Sequence, residues 1–106
     1  MNKANNHNEI CERLNKLYIA KNKDYGDSFG EGFKEYGLAM PAIRLDDKIR
    51  RFKQLIKQNA EVKSESIIDT LMDLANYSIM TIIELENKDK EVSKWLYKIL
   101  KYFVKE

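Results

Sequence analysis

The sequence predicts an all-α protein built as a four-helix bundle. Three observations predict it. Apolar residues recur at three- and four-residue spacing over most of the chain. No alternating run of β-branched residues is bounded by turns, so strand signals are absent. The single Pro and the four Gly all fall between residues 26 and 41, which leaves the rest of the chain free of helix breakers.

The first helix is expected from about Asn8 to Asn22, with Ile10, Leu14, Leu17 and Tyr18 on one stripe. The second is expected from about Met40 to Gln58. Pro41 suits its first turn, where no backbone donor is needed, and Asn59 suits its C-terminal cap. The third is expected from about Glu65 to Glu86, with Ser64 as N-cap. The fourth is expected from about Lys90 to Val104, with Asp89 as N-cap and a stripe of Val92, Trp95, Leu96, Ile99, Leu100 and Phe103. Short connections between the last three imply antiparallel neighbours. Between the first two lies KNKDYGDSFGEGFKEYGLA, residues 21–39, expected as a long connection with a helical turn around Gly32–Tyr36. A connection of this length in a small helical domain is usually functional. Its aromatics Tyr25, Phe29, Phe33 and Tyr36 either stack on a base or plug the open end of the bundle.

At 106 residues the chain is expected to be one domain, with a core over about residues 8–86 and a C-terminal helix over about 90–104. A net charge of +2 gives no strong nucleic-acid signal. A single cysteine, Cys11, excludes an internal disulfide and fits a reducing cytoplasm; Cys11 and the lone His7 are expected to be inert. MNKANNHNEI lacks an apolar stretch, so no secretory signal is expected. The apolar run from Ile67 to Leu85 is interrupted by Asp69, Asp73, Asn76 and Glu84, so it reads as a core helix and not a membrane span.

That run holds the most informative pattern in the chain. From Ser64 to Asn87 there is no Lys or Arg at all, although the chain has 19. With Glu65 at 0°, Asp69 falls at about 40°, Asp73 at about 80° and Asn76 at about 20°. Ile67, Ile68, Leu71, Leu74, Ala75, Ile79 and Ile82 fill an arc from about 180° to 320°. Like charges stacked at four-residue spacing are mildly destabilising without a partner. Either they face water or lysines of other helices, or a divalent cation neutralises them, since hard cations take carboxylate oxygens. On the second helix, Arg44, Asp47, Lys48 and Arg51 border the apolar stripe of Leu45, Ile49, Phe52, Leu55 and Ile56. They read as an inter-helix ion-pair network or as a phosphate clamp beside a metal.

The strings KNKDYGDSF (21–29), RLDDKIRR (44–51) and ESIIDTLMDLANY (65–77) resemble the nucleotide-modification-associated domain of bacteriophage and bacterial genomes. That family is similar to the MazG-like all-α nucleoside triphosphate pyrophosphatases. The resemblance implies a MazG-like bundle completed by dimerisation, and cleavage of a deoxynucleoside or modified nucleoside triphosphate to monophosphate and pyrophosphate. It implies Mg²⁺ or Mn²⁺ held by Glu65, Asp69 and Asp73 with Asp47. Glu65 and Asp69 would be the catalytic acids, Glu65 accepting the proton of the attacking water. Lys48, Arg51 and Arg44 would neutralise the leaving pyrophosphate. Lys21, Lys23, Asp24 and Tyr25 would contact phosphate or base, and Asn76 and Tyr77 sugar or base. The MazG-like enzymes hold the metal with a Glu-x-x-Glu pair on one helix and a Glu-x-x-Asp pair on the next. This sequence departs at the second pair, where the ladder spacing is four and not three, and at the first, where only Asp47, with Asp46 beside it, stands among basic residues.

That departure keeps a second reading open: a phage-type nucleotide-binding or nucleotide-sequestering protein, or an accessory factor in base modification. A third is a helical interaction module whose charges only pair across subunits. Localisation in bacterial or phage-infected host cytosol, a nucleotide ligand or substrate, no membrane partner and a homodimer or higher homo-oligomer are expected. Trp95, Tyr97, Tyr102 and Phe103 exceed what one face of a short terminal helix needs.

Overall fold

The computed structural model describes residues 2–58 and 63–104. Among the described residues the chain is entirely helical, in the order α1 (Lys3–Tyr25), α2 (Ser28–Tyr36), α3 (Ala39–Leu55) and α4 (Lys63–Val104).

Helix α1 starts well before its apolar stripe implies, at Lys3 and not Asn8. Asn2 caps it: its side-chain oxygen accepts from the backbone N–H of Ala4 (2.9 Å) and of Asn5 (3.3 Å). The Asn-rich tail is thus helical, and exposed Cys11 sits one turn from His7 on it. Gly26 (φ +64°) ends α1 and Gly37 (φ +65°) ends α2, both in a conformation that costs other residues more. Between these stops lies the first correction. Residues 28–36 form a full helix in place of a single turn, because Asp27 caps it by accepting from the Gly30 N–H at 3.2 Å.

Helix α3 places Pro41 in its first turn, fully buried. The helix ends at Leu55, and the expected cap Asn59 lies outside the described residues.

The second correction is larger. Two expected helices, 65–86 and 90–104, are one helix of 42 residues, about 63 Å long at 1.5 Å per residue. Asp89 is not an N-cap, and Ser64 lies within the helix. Nothing forces a break at Asn87–Lys90: no Gly or Pro intervenes, and Glu84/Lys88 and Glu86/Lys90 are spaced as helix-supporting pairs. The antiparallel packing expected between those two helices therefore does not exist. The molecule is elongated, 71 × 34 × 24 Å, as this helix dictates.

Helices α1, α2 and α3 all pack on α4. Leu14, Phe33, Leu55 and Pro41 are buried, together with Thr70, whose hydroxyl donates to the Ser66 carbonyl at 2.8 Å. Phe33 is core and not a base platform.

The third correction concerns which face of α4 is covered. The sequence turns the isoleucine- and leucine-rich arc toward a core. From that arc Ile68, Leu71, Ile79 and Ile82 are exposed and Ile67, Leu74 and Ala75 half-buried; on the other side Thr70 is fully buried and Asp73, Asn76, Tyr77 and Met80 are half covered. The covered residues lie at about 20–140° on the same wheel. Polar groups on this face have partners on the neighbouring helices. The Asn76 amide donates to the Leu14 carbonyl at 3.1 Å, and Asp73 accepts from two lysines. Beyond Leu85 the stripe of Val92, Trp95, Leu96, Leu100 and Phe103 is exposed and Ile99 half-buried, so this stretch is not bundle core.

Candidate functional site

A cleft of about 510 Å³ opens between the C-terminal turns of α1, the helix α2, the start of α3 and the middle of α4. Its size is ordinary for a small-molecule site.

One end of the cleft is charged. Asp73 projects from α4 and accepts from Lys21 Nζ of α1 at 3.0 Å and from Lys48 Nζ of α3 at 2.9 Å, one lysine on each carboxylate oxygen. Partial burial would raise the pKa of Asp73. The hydrogen bonds and charges of Lys48 and Lys21 outweigh it and hold the carboxyl below its ordinary value. Arg44, one turn before Lys48 on α3, also lines the cleft. Two lysines therefore share one carboxylate, with the Arg44 guanidinium lining the same cleft, and this end carries a positive excess suited to an anion.

The other end is aromatic. Tyr77 lies one turn along α4 from Asp73, and its ring stacks on Phe29 of α2 (centroids 5.9 Å apart, planes 21° apart). Tyr25, Tyr36, Met40 and Met80 also line the cleft. Met40 approaches α2 closely because residue 32 is glycine: a Cβ there would lie 3.3 Å from the Met40 methyl.

Of the residues singled out from sequence, the fold brings together Lys21, Tyr25, Arg44, Asp73, Asn76 and Tyr77 along the cleft, with Lys48 joined through Asp73. Lys23 and Asp24 are exposed on the last turn of α1 and do not line it. Asp47 and Arg51 are exposed on α3, and Glu65 and Asp69 on α4, likewise outside the cleft. Asp46 pairs with Arg50 on the surface of α3 at 2.7 Å.

Tyr18 and Asn22 line the cleft, but in sequence Tyr18 reads only as part of an apolar stripe and Asn22 only as the end of the first helix. Their signal was available, since Tyr18, Asn22 and Tyr25 recur at helical spacing with Lys21. Met40 and Met80 had no such signal.

The donor set can be tested against a divalent metal. Among the described residues, no three His, Cys, Asp or Glu side chains lie close enough to hold an ion. Both oxygens of Asp73 already accept from ammonium groups. These residues do not fit a Mg²⁺ site within one subunit.

The fold and cleft define the chain as a small all-helical protein with one cationic and one aromatic end to its site. Residues 21–85 match the family described as Nucleotide modification associated domain 1, and the chain belongs to that family. The match contains every residue of the cleft except Tyr18, and it stops at Leu85, before the C-terminal part of α4. No match exists among curated proteins or solved structures. Among the described residues no helix is long and apolar enough to cross a membrane.

Proposed function

We propose that this cleft binds a nucleotide by its phosphates and its base, without a metal held by the protein. One observation carries the reading: the Lys21–Asp73–Lys48 cluster and the Phe29–Tyr77 stack lie one helical turn apart on α4. That turn is about 6 Å, close to the span a sugar places between base and phosphate. Lys21, Lys48 and Arg44 neutralise phosphate charge, the arginine through its planar fork. Tyr77, Phe29 and Tyr25 offer rings for the base, where stacking tolerates any base. Asn22 and Asn76 offer amides to the sugar or base edge. The family's association with nucleotide modification agrees with this assignment. The protein then acts as a nucleotide-binding or nucleotide-sequestering component or an accessory in base modification.

A second reading, a MazG-like metal-dependent nucleoside triphosphate pyrophosphohydrolase, keeps one observation in its favour. Glu65 and Asp69 are exposed on the turns preceding Asp73, and neither makes an ion pair among the described residues. That reading needs ligands beyond those one subunit assembles.

One experiment separates the two. A panel of NTPs and dNTPs is titrated calorimetrically in EDTA, and pyrophosphate release is assayed in parallel with Mg²⁺ or Mn²⁺. Binding in EDTA without product supports the first reading. Metal-dependent pyrophosphate establishes the second, and no heat in EDTA together with no pyrophosphate in metal rejects both.

A further inference from the structure

Helix α4 carries a second apolar face that no other described part of the chain covers. Ile68, Leu71, Ile82, Leu85, Val92, Leu96 and Phe103 are all exposed, Phe103 to 72%. They do not scatter. Ile68, Ala75, Ile82, Leu96 and Phe103 fall on one seven-residue repeat, and Leu71, Leu85, Val92 and Ile99 on its companion three residues on. Ser78 and Asp89 are the two polar interruptions. A strict seven-residue repeat drifts by about 20° per heptad on a straight helix, so it follows a partner only if two helices wind around each other. The repeat runs from residue 68 to residue 103, about 53 Å of helix. The occupant is therefore a helix of matching length. The other helices of this chain have 23, 9 and 17 residues and already pack on the opposite side of α4 or on one another. The only matching helix described is another α4.

Charge fixes the direction. Residues 65–87 of α4 hold five acids and no base, whereas residues 88–104 hold five lysines and two acids. Parallel pairing would set acidic half against acidic half and basic against basic. Antiparallel pairing sets each acidic half beside the partner's basic half and also opposes the helix dipoles.

We propose that two copies of this chain pair antiparallel through the 68–103 stripe of α4, with the two-fold axis near Leu85 and Glu86. The stripe lies on the side of α4 away from the cleft, so the pairing leaves the cleft open. It also accounts for a projecting helical arm: from Glu86 to Phe103 every residue but half-buried Ile99 is exposed, and a lone helix of that length is marginal in water.

The test uses the full chain. Sedimentation equilibrium at micromolar concentration is expected to give twice the 12.5 kDa subunit mass. Ile82→Glu/Leu96→Glu, at two exposed positions, is expected to weaken association at least 100-fold while cleft binding of tripolyphosphate persists. A monomeric wild type, a mass other than the dimer's, or a variant that associates as tightly as wild type overturns the proposal. Orientation is read on a chain with the stripe intact, so it does not depend on that variant folding. A nitroxide on Lys101→Cys, in a Cys11→Ser background, is expected to give an inter-subunit distance of about 45 Å for antiparallel helices. A distance below about 25 Å means parallel pairing and overturns it.

Discussion

Lys48 Nζ lies 2.9 Å from one carboxylate oxygen of Asp73, and this contact ties α3 to α4 at the charged end of the cleft. Lys21 ties α1 to the other oxygen at 3.0 Å. One carboxylate thus anchors two helices and holds two ammonium groups where an anion would meet them. Structure and binding compete for the same lysines, because a phosphate can accept from Lys21 and Lys48 only as Asp73 yields them.

Asp73→Asn is therefore expected to act oppositely on stability and on binding. Stability falls by about 1–2 kcal/mol, the scale of charged hydrogen bonds reduced by the exposure of Lys21. Nucleotide affinity in EDTA holds or rises, because the charged end gains a positive charge. Calorimetry and thermal melting on one preparation check both. Complete loss of nucleotide binding in a folded Asp73→Asn protein would contradict the anion-cluster reading and favour a carboxylate that works through metal.

The same group sets an acid limb of stability. Its carboxyl is held below the ordinary value of 3.8, so the folded state binds this proton less readily than the unfolded state. The contribution is complete above the unfolded value and is lost as pH falls through the folded one. Wild type is expected to lose stability relative to Asp73→Asn below about pH 4. Denaturant midpoints measured from neutral pH down into the acid limb test this. Parallel curves for the two proteins would mean the pair contributes nothing.

Base and phosphate contacts are separable. Tyr77→Leu keeps an apolar side chain at the cleft but removes the ring. It is expected to weaken nucleotide binding by about 1–2 kcal/mol, roughly 5- to 30-fold, as loss of one stacked base does. Binding of inorganic tripolyphosphate should be unchanged. Arg44→Ala should weaken both ligands, and more so at low ionic strength. A Tyr77→Leu protein that loses tripolyphosphate binding as well would mean the two ends are not distinct subsites.

Helical class was legible because the period of the apolar residues and the absence of strand signals both report local geometry. The charged end was legible too. Arg44, Lys48 and Asp73 stood out as charges beside apolar stripes, and Lys21, Asn76 and Tyr77 through the family resemblance. What the sequence could not give was the choice between two faces of α4. Its Ile-rich arc is the more apolar, yet Asp73, Asn76 and Tyr77 face the other helices, because each meets a partner contributed by a different segment: Lys21 and Lys48, the Leu14 carbonyl, and Phe29. Periodicity sees one helix at a time and cannot see such matches. Glu65 and Asp69 share the ladder spacing with Asp73 but not its surroundings, so spacing alone could not separate them. Helix α2 reads in sequence as a single turn around Gly32–Tyr36 because glycines count against a helix, whereas here Asp27 and Gly37 supply the two ends of a full helix.

Lys90→Pro decides between the two accounts of the C-terminal half. If Asp89 capped a separate helix, residue 90 would be its first position, where proline is favoured. In one continuous helix the same proline removes a backbone hydrogen bond and clashes with the carbonyl of Glu86, at a cost of about 3 kcal/mol or more. The structure places Lys90 in the interior of α4, several turns from both Lys63 and Val104. Circular dichroism of Lys90→Pro is expected to show lost helicity, and hydrogen exchange should locate the loss in residues 86–104. The cleft, built from residues 18–80, should bind nucleotide as before. Unchanged helicity and unchanged exchange would mean that α4 is broken at Asp89 in solution and that its far end is a separate element.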